Sequence, residues 1–266
     1  MTEQVAYAYA VLADAPGVAA ALDAVRGVAE APVHLVARSP GGALSAAVSP
    51  APADEFQEDA LRRRLEDLNW LEAVARAHHT VVEALAAHTT VLPLRLATVY
   101  RDDERVRAML RADAEMFGQA LRRLAGHVEW GVKIYLEAQP ETTAAAPDPA
   151  AGLGAGRAYL RDRRVQRQAR EESYRAARQA ARRVEEIGQA AASGRARHRA
   201  QQGELAAGAG ENIVNDAYLV TRETAEQFRA QILEAARGLP GVRIDVTGPW
   251  APYSFAAPPG APGQAP

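Results

Sequence analysis

The chain has 266 residues, a formal net charge of −2 and no cysteine. The lack of cysteine excludes disulfides, thiol catalysis and cysteine-based metal sites, and fits a reducing compartment. Hydrophobic residues make up 48% and aromatic residues only 6%, so the core must be built from Ala, Val and Leu around few large anchors. This length holds one large domain or two ordinary ones, and the near-neutral charge singles out no class of partner.

The start, Met1 to Gln4, lacks the positive region of a signal peptide. The apolar run Val5 to Ala13 is about half of what a bilayer span needs. A second apolar run near Val91 is broken by Pro93 and Arg95. The chain reads as soluble and not exported.

Val5 to Leu12 is β-prone, with Tyr7 and Tyr9 spaced to share one face. Asp14-Ala15-Pro16-Gly17 is a turn, in which Pro presets φ and Gly tolerates a positive one. Val18 to Val28 is a short helix carrying Val18, Leu22 and Val25 on one side. Val33 to Ala37 and Ala43 to Val48 read as a hairpin around Ser39-Pro40-Gly41-Gly42. Asp54 to Ala87 is helical, because Leu61, Leu65, Leu68, Leu71, Val74, Val81 and Leu85 recur at three- and four-residue steps apart from one gap.

Val91 to Leu96 is extended and apolar. Pro93 cannot donate to a central ladder, so this piece belongs at a sheet edge or in a packed loop. Asp102-Asp103-Glu104 starts a helix that runs to about Leu124 and is stopped by Gly126. His127 to Glu137 closes the region as a strand with alternating Val128, Trp130, Val132, Ile134 and Leu136. The order strand, helix, hairpin, helices, strand is close to a βαββαβ ferredoxin-like plan with extra helix inserted.

Gln139 to Gly156 reads as a linker, rich in Ala, Pro and Gly. Arg157 to Arg199 then holds thirteen Arg and five acidic residues, a formal charge of +8 that leaves the remainder at −10. A continuous helix over this stretch spans roughly 60 Å. Its thin stripe of Val165, Ala169, Tyr174, Ala177, Ala181, Val184, Ile187 and Ala191 suits close helix contact better than a broad core. After a Gly/Ala-rich break near 203–210, Ile213 to Val220 reads as a strand, Arg222 to Arg237 as a helix and Val242 to Val246 as a strand.

Six blocks in order resemble the gas vesicle protein F/L family (GvpL/GvpF). They are Tyr7-Ala8-Tyr9-Ala10-Val11; Leu44-Ser45-Ala46-Ala47-Val48-Ser49; Asn69-Trp70-Leu71 through Ala77-His78-His79-Thr80-Val81-Val82; Val91-Leu92-Pro93-Leu94-Arg95 with Thr98-Val99-Tyr100; Glu129-Trp130-Gly131-Val132-Lys133-Ile134-Tyr135; and Val246-Thr247-Gly248-Pro249-Trp250-Ala251-Pro252-Tyr253-Ser254-Phe255. Two departures occur: Leu96-Ala97 stands where the family usually has Phe-Gly, and Ala251 where it usually has Pro. The linker and long helix carry no motif.

The resemblance implies a cytoplasmic gas vesicle protein, an assembly factor or minor structural component. Its implied partners are the main shell protein and other accessory gas vesicle proteins. The fold expected is α+β, with a modified ferredoxin-like N-terminal domain (1–138) and a linker (139–156). An α-rich C-terminal domain (157–255) would follow, with the long basic helix and a small β-α-β unit, then a disordered Pro/Gly/Ala tail (256–266).

Candidate sites are few. His78 and His79, with Glu72, Glu83 and His88, form the one cluster that suggests a metal, and His79 and Glu83 share a helix face. Adjacent histidines point about 100° apart on a helix, so surface or packing roles are preferred. Arg95 sits in an apolar run, as an exposed residue, a guanidinium paired with a carboxylate or a partner contact. The Arg-rich helix could bind nucleic acid through phosphates, the alternative function. Its internal Glu171-Glu172 and Glu185-Glu186 and the near absence of aromatics favour a solvated face or protein docking. Trp70, Trp130 and Trp250 read as core anchors. Pro249 to Phe255 either tucks back onto the fold or is offered to a partner. No phosphate loop, nucleophile elbow or zinc signature is present. The candidate partner-binding or motif residues are Arg95, Trp130, Trp250, Tyr253 and Phe255. No catalytic residue, cofactor, metal, nucleic acid or membrane is expected, and the oligomeric state stays open.

Overall fold

A computed structural model describes residues 3–38, 44–137, 153–200 and 210–256, and excludes the side chains at 58, 153–160 and 162. The hairpin turn at 39–43, residues 139–152 of the linker expected at 139–156, and the tail from 257 lie outside the described residues.

Strand β1 (Gln4–Ala13) is buried from Ala6 to Leu12 because it has pairing partners along both edges. On one edge it runs antiparallel to β3 (Leu44–Pro52), from Gln4 opposite Pro52 to Ala13 opposite Leu44. On the other it pairs antiparallel with β4 (Val91–Pro93) and β5 (Val99–Tyr100). β2 (His34–Ala37) adds antiparallel to β3, which gives the order β2-β3-β1-β4. Pro93 lies on the outer strand of this order, where its missing N–H costs no ladder bond. The β1–β3 register jumps between Ala8 and Ala10, leaving Tyr9 as an extra residue. Bulges re-aim side chains, and here Tyr9 Oη reaches Ser49 Oγ (2.6 Å) and accepts the Val28 N–H (2.7 Å). Gly27 makes room for this cluster, since a Cβ there would come within 2.2 Å of Tyr9 Oη.

The helix expected over 54–87 is three pieces: α2 (Ala53–Phe56), α3 (Glu58–Arg64) and α4 (Leu68–Ala86). Gln57 breaks the first junction with an extended backbone, and Asp67 starts α4 by accepting from the Asn69 and Trp70 N–H groups (3.1 and 3.2 Å). Such a cap contributes about 1 kcal/mol. Leu65 and Leu68, assigned to the apolar stripe, are accordingly exposed. In α4, Val74, His78, Val81, Val82 and Leu85 are buried, the three- and four-residue rhythm of one helical face. Together with α1 (Val18–Asp23), α4 covers a core of Tyr7, Tyr9, Leu12, Phe56 and Val91. The helix expected from Asp102 to Leu124 also divides, at Asp113, into α5 (Asp103–Ala112) and α6 (Ala114–Leu124). Gly126, at φ +71, follows it.

Ala97 adopts a left-handed φ of +60, a conformation that favours glycine. This is the position where the family resemblance puts Gly. The turn points the Ala97 N–H at Tyr7 Oη (3.0 Å). Because a Cβ is strained in this region, Ala97→Gly is expected to stabilise the chain by about 1 kcal/mol. Urea unfolding checks this; a destabilised variant contradicts it.

Strand β6 (His127–Leu136) does not close the first sheet. It lies in a second sheet of order β7-β8-β6-β9 with β7 (Gly194–Arg197), β8 (Glu211–Thr221) and β9 (Val242–Trp250). The described chain forms two units: residues to Glu129 with Pro249 onward, and Trp130–Gly248. Residue 138, where the sequence puts a boundary, falls within the span of the second unit, and the last described residues, 249–256, belong to the first. β6 separates from the earlier strands because its partners come later in the chain. Gly131 allows the side chain of Thr247 to approach within 2.7 Å of where a Cβ would sit.

In the second unit, α7 (Leu153–Ala191) ends earlier than the sequence pattern implies, and residues 194–197 are strand. Its buried positions are Ser173, Ala176, Ala177, Ala180, Val184 and Gly188, nearly all small. The large side chains come from the elements that it meets. Tyr218 of β8 lies over Gly188, where a Cβ would fall 2.3 Å from the ring, and meets the tilted ring of Phe228 of α8 (Ala225–Glu234) at 5.5 Å between centroids. Val165, placed in the stripe, is 57% exposed, and among the described side chains of this helix the buried face begins at Ser173.

Candidate functional site

The C-terminal segment folds back onto the first unit. Glu83 on α4 accepts the Ala251 N–H (2.9 Å), and Glu129 accepts both the Ser254 N–H (2.8 Å) and the Ser254 hydroxyl (2.7 Å). Arg123 donates to the Phe255 carbonyl. Burial raises the Glu129 pKa, and the two Ser254 bonds oppose that rise. Removing a carboxylate that accepts two bonds in a buried setting costs about 2 kcal/mol, so Glu129→Ala is expected to lose that much stability and to expose residues 250–256 to protease. A cycle with Ser254→Ala isolates the pair; unchanged cleavage contradicts this anchoring role.

The anchored segment completes a cavity of about 350 Å³, near the small end of the range for ligand pockets. α4 supplies Ala75, His78 and His79, the stretch after β4 supplies Leu94, Arg95 and Leu96, and the C-terminal segment supplies Tyr253. His78 is 2% exposed. Its Nδ1 lies 3.0 Å from Tyr7 Oη, which itself accepts the Ala97 N–H. The assignment that satisfies all three groups has Tyr7 donating to Nδ1, so the neutral ring carries its hydrogen on Nε2. Tyr253 Oη is buried and makes no hydrogen bond, while His78 Nε2, also buried, has no short hydrogen bond and only the Leu94 carbonyl acting on the ring as a distant acceptor. Burial lowers the His78 pKa to about 4; the neighbouring His79 pushes the same way and the Leu94 carbonyl opposes. Burial also raises the Tyr253 pKa, with Glu83 adding to the rise. Both groups are therefore neutral at ordinary pH and present hydrogens.

Arg95 is exposed and lines the same cavity, so the strand-edge Arg and Tyr253 are brought together. Trp250 is 39% exposed and meets the His79 ring edge-on at 5.2 Å. Phe255 is 9% exposed and anchors the segment. Trp130 is 1% exposed and sits among the core residues. The suspected histidine cluster is divided among separate partners: His78 bonds Tyr7, His79 lies 4.0 Å from Glu83, and Glu83 holds Ala251. Of His78, Glu83 and Glu129, sequence reasoning weighs the first two only as metal candidates and does not single out Glu129, although His78 and Glu129 belong to the quoted motif blocks.

The family model for "Gas vesicle synthesis protein GvpL/GvpF" matches residues 5–257. The chain is 42% identical over 257 residues to gas vesicle protein L of Streptomyces sp. (strain CB03234), covering 96% of this chain and 94% of that one. It is 24% identical over 268 residues to gas vesicle protein F2 of Halobacterium salinarum, covering 96% and 93%. Among solved structures it is similar to GvpF from Anabaena sp. PCC7120, with a TM-score of 0.62, 20% identity and 96% of each chain covered. GvpF from Microcystis aeruginosa gives 0.58, again at 20% identity, over 95% of this chain and 99% of that one. At these identities the structural likeness speaks for the fold, a mixture of helices and antiparallel strands.

Proposed function

Because this chain belongs to the GvpL/GvpF family of gas vesicle proteins, we propose that it is an assembly factor or minor structural component of gas vesicles that acts by binding. The bound partners in this reading are the main shell protein and other accessory gas vesicle proteins, and the site of action is the cytoplasm, on or beside forming vesicles. The observation that carries it is the 42% identity to a gas vesicle protein L along 96% of the chain. Catalysis has no part in this reading. The test is co-purification: a tagged chain in a vesicle-forming host should retain the main shell protein through washing. Its absence from the eluate would overturn the binding role.

One observation favours a second reading. Arg161, Arg163, Arg164, Arg167 and Arg170 are all exposed on the first half of α7, a basic surface that could contact phosphates. Salt-sensitive retention on DNA or RNA supports this reading, and flow-through at low salt eliminates it.

A further inference from the structure

Strand β9 ends its sheet. In the order β7-β8-β6-β9 it pairs with β6 on one side, and no strand lies beyond it among the described residues. Three contacts fix the β6–β9 register. The Glu137 N–H donates to the Gly241 carbonyl (3.0 Å), the Arg243 guanidinium lies 4.5 Å from the Tyr135 ring centroid, and the Thr247 side chain approaches Gly131. Residue 137 therefore opposes 241, 135 opposes 243 and 131 opposes 247. In an antiparallel ladder, hydrogen-bonded pairs recur at every second residue. Gly241, Arg243, Asp245 and Thr247 thus turn their N–H and C=O groups towards β6, and Val242, Ile244 and Val246 turn theirs outward. Outward groups of this kind are a template for another strand, and no proline interrupts them before Pro249.

The side chains along this edge say which strand fits. Val242-Arg243-Ile244-Asp245-Val246 reads apolar, basic, apolar, acidic, apolar, so the pattern complements itself when reversed. Laid antiparallel on a second copy about Ile244, Arg243 faces the second copy's Asp245, and Val242 faces its Val246. Opposed residues of an antiparallel pair lie on the same face, where opposite charges and β-branched pairs are favourable. The centre falls on a residue whose backbone points outward. Ile244 with its own copy, and Val242 with Val246 on each side, are therefore hydrogen-bonded pairs. Arg243 and Asp245 side chains are 35% and 39% exposed and bond one another within the chain, so both stand at the surface where they can exchange partners across the seam.

We propose that β9 pairs antiparallel with β9 of a second copy, centred on Ile244, and joins the two sheets into one. Such a two-fold contact uses the same patch on both copies and closes at a dimer. It does not depend on which other protein the chain binds. A seam this short is smaller than a standard interface, so the dissociation constant should be on the order of 10 to 100 μM.

Sedimentation velocity of the purified full chain from about 1 to 500 μM should show monomer passing to dimer. Arg243→Asp sets acid against acid at the seam, and Asp245→Arg sets base against base. Each alone should weaken the dimer by about ten-fold or more, and mixing the two variants should restore it as a mixed dimer. The double variant, Arg243→Asp with Asp245→Arg, should dimerise like wild type. It lacks the Tyr135 contact just as the single variant does, which separates lost pairing from lost fold. Hydrogen exchange at the Val242, Ile244 and Val246 amides should slow as concentration rises.

A chain that stays monomeric throughout overturns the proposal. So does a dimer that both charge reversals leave intact, or one in which the Ile244 amide stays unprotected. Protection of that amide only when the main shell protein is added would give the edge to a strand of that partner and overturns the second copy as its occupant.

Discussion

Acidification from pH 7 to pH 4 is expected to remove about 3 kcal/mol of stability through His78 alone. Its pKa is lowered from 6.5 to about 4, with burial as the largest cause. The unfolded chain therefore takes up this proton first. Above pH 6.5 both states are neutral at this ring and the contribution is complete. Between 6.5 and 4 only the unfolded state is protonated, so stability drains away as pH falls; below 4 the loss is constant. A displacement of about 2.5 units at 1.36 kcal/mol per unit gives the size. The groups that face the ring are Tyr7 and Tyr9 from β1, His79 on its own helix, and Tyr253 from the C-terminal segment. No carboxylate among these contacts compensates a charged imidazolium. Carboxylates elsewhere titrate in the same range, so the measurement is a difference. Urea unfolding at several pH values on wild type and His78→Gln should show a shallower acid dependence in the variant. Parallel curves would contradict the buried neutral ring.

Arg195→Ala is expected to cost about 3 to 5 kcal/mol. Asp216 is buried, its side chain 5% exposed, and Arg195 donates to the same carboxylate oxygen from Nε (3.0 Å) and Nη2 (2.7 Å). The β7–β8 register places Arg195 across from Tyr218, two residues along from Asp216, and the guanidinium lies 5.8 Å from the Tyr218 ring centroid. Its remaining arm reaches Glu185 on α7 (2.6 Å). Breaking a buried pair from one side leaves an uncompensated charge, which costs far more than the pair is worth intact. Adding Asp216→Asn to the Ala variant should therefore recover part of the loss. Chemical denaturation decides it: a loss below about 1 kcal/mol, or no recovery in the double variant, contradicts the pairing argument.

Both effects rest on contacts that the sequence pattern does not announce. Local signals served well where local chemistry decides. The Pro16-Gly17 turn has Gly17 at φ +86, and the alternation around Tyr7 and Tyr9 puts both rings in one core. Pro93 lies at a sheet edge because its missing N–H leaves few other places. The helical breaks at Gln57 and Asp113 were hidden because neither carries Pro or Gly, and a three- and four-residue rhythm continues through a short kink. Residues 194–197 fall in a proline-free stretch that the sequence pattern extends as helix; pairing with β8 makes them strand instead.

Sheet membership of β6 is beyond order arguments, since its partners, β8 and β9, begin only at Glu211 and Val242. The cavity shows the same limit. Arg95 and Tyr253 stood out singly, one as a charge in an apolar run and the other in an aromatic, proline-restrained segment. What joins them is His78, which reads from sequence as one of two adjacent histidines. Only the return of residues 250–256 to α4, held by Glu83 and Glu129, brings the three together.

The central claim, a binding role in forming gas vesicles, is tested most directly by deletion and complementation in a vesicle-forming host, scored by counting intact vesicles in thin sections. Deletion should abolish or sharply reduce vesicles, and the wild-type chain supplied in trans should restore them. Normal vesicle number and shape in the deletion strain would contradict the account.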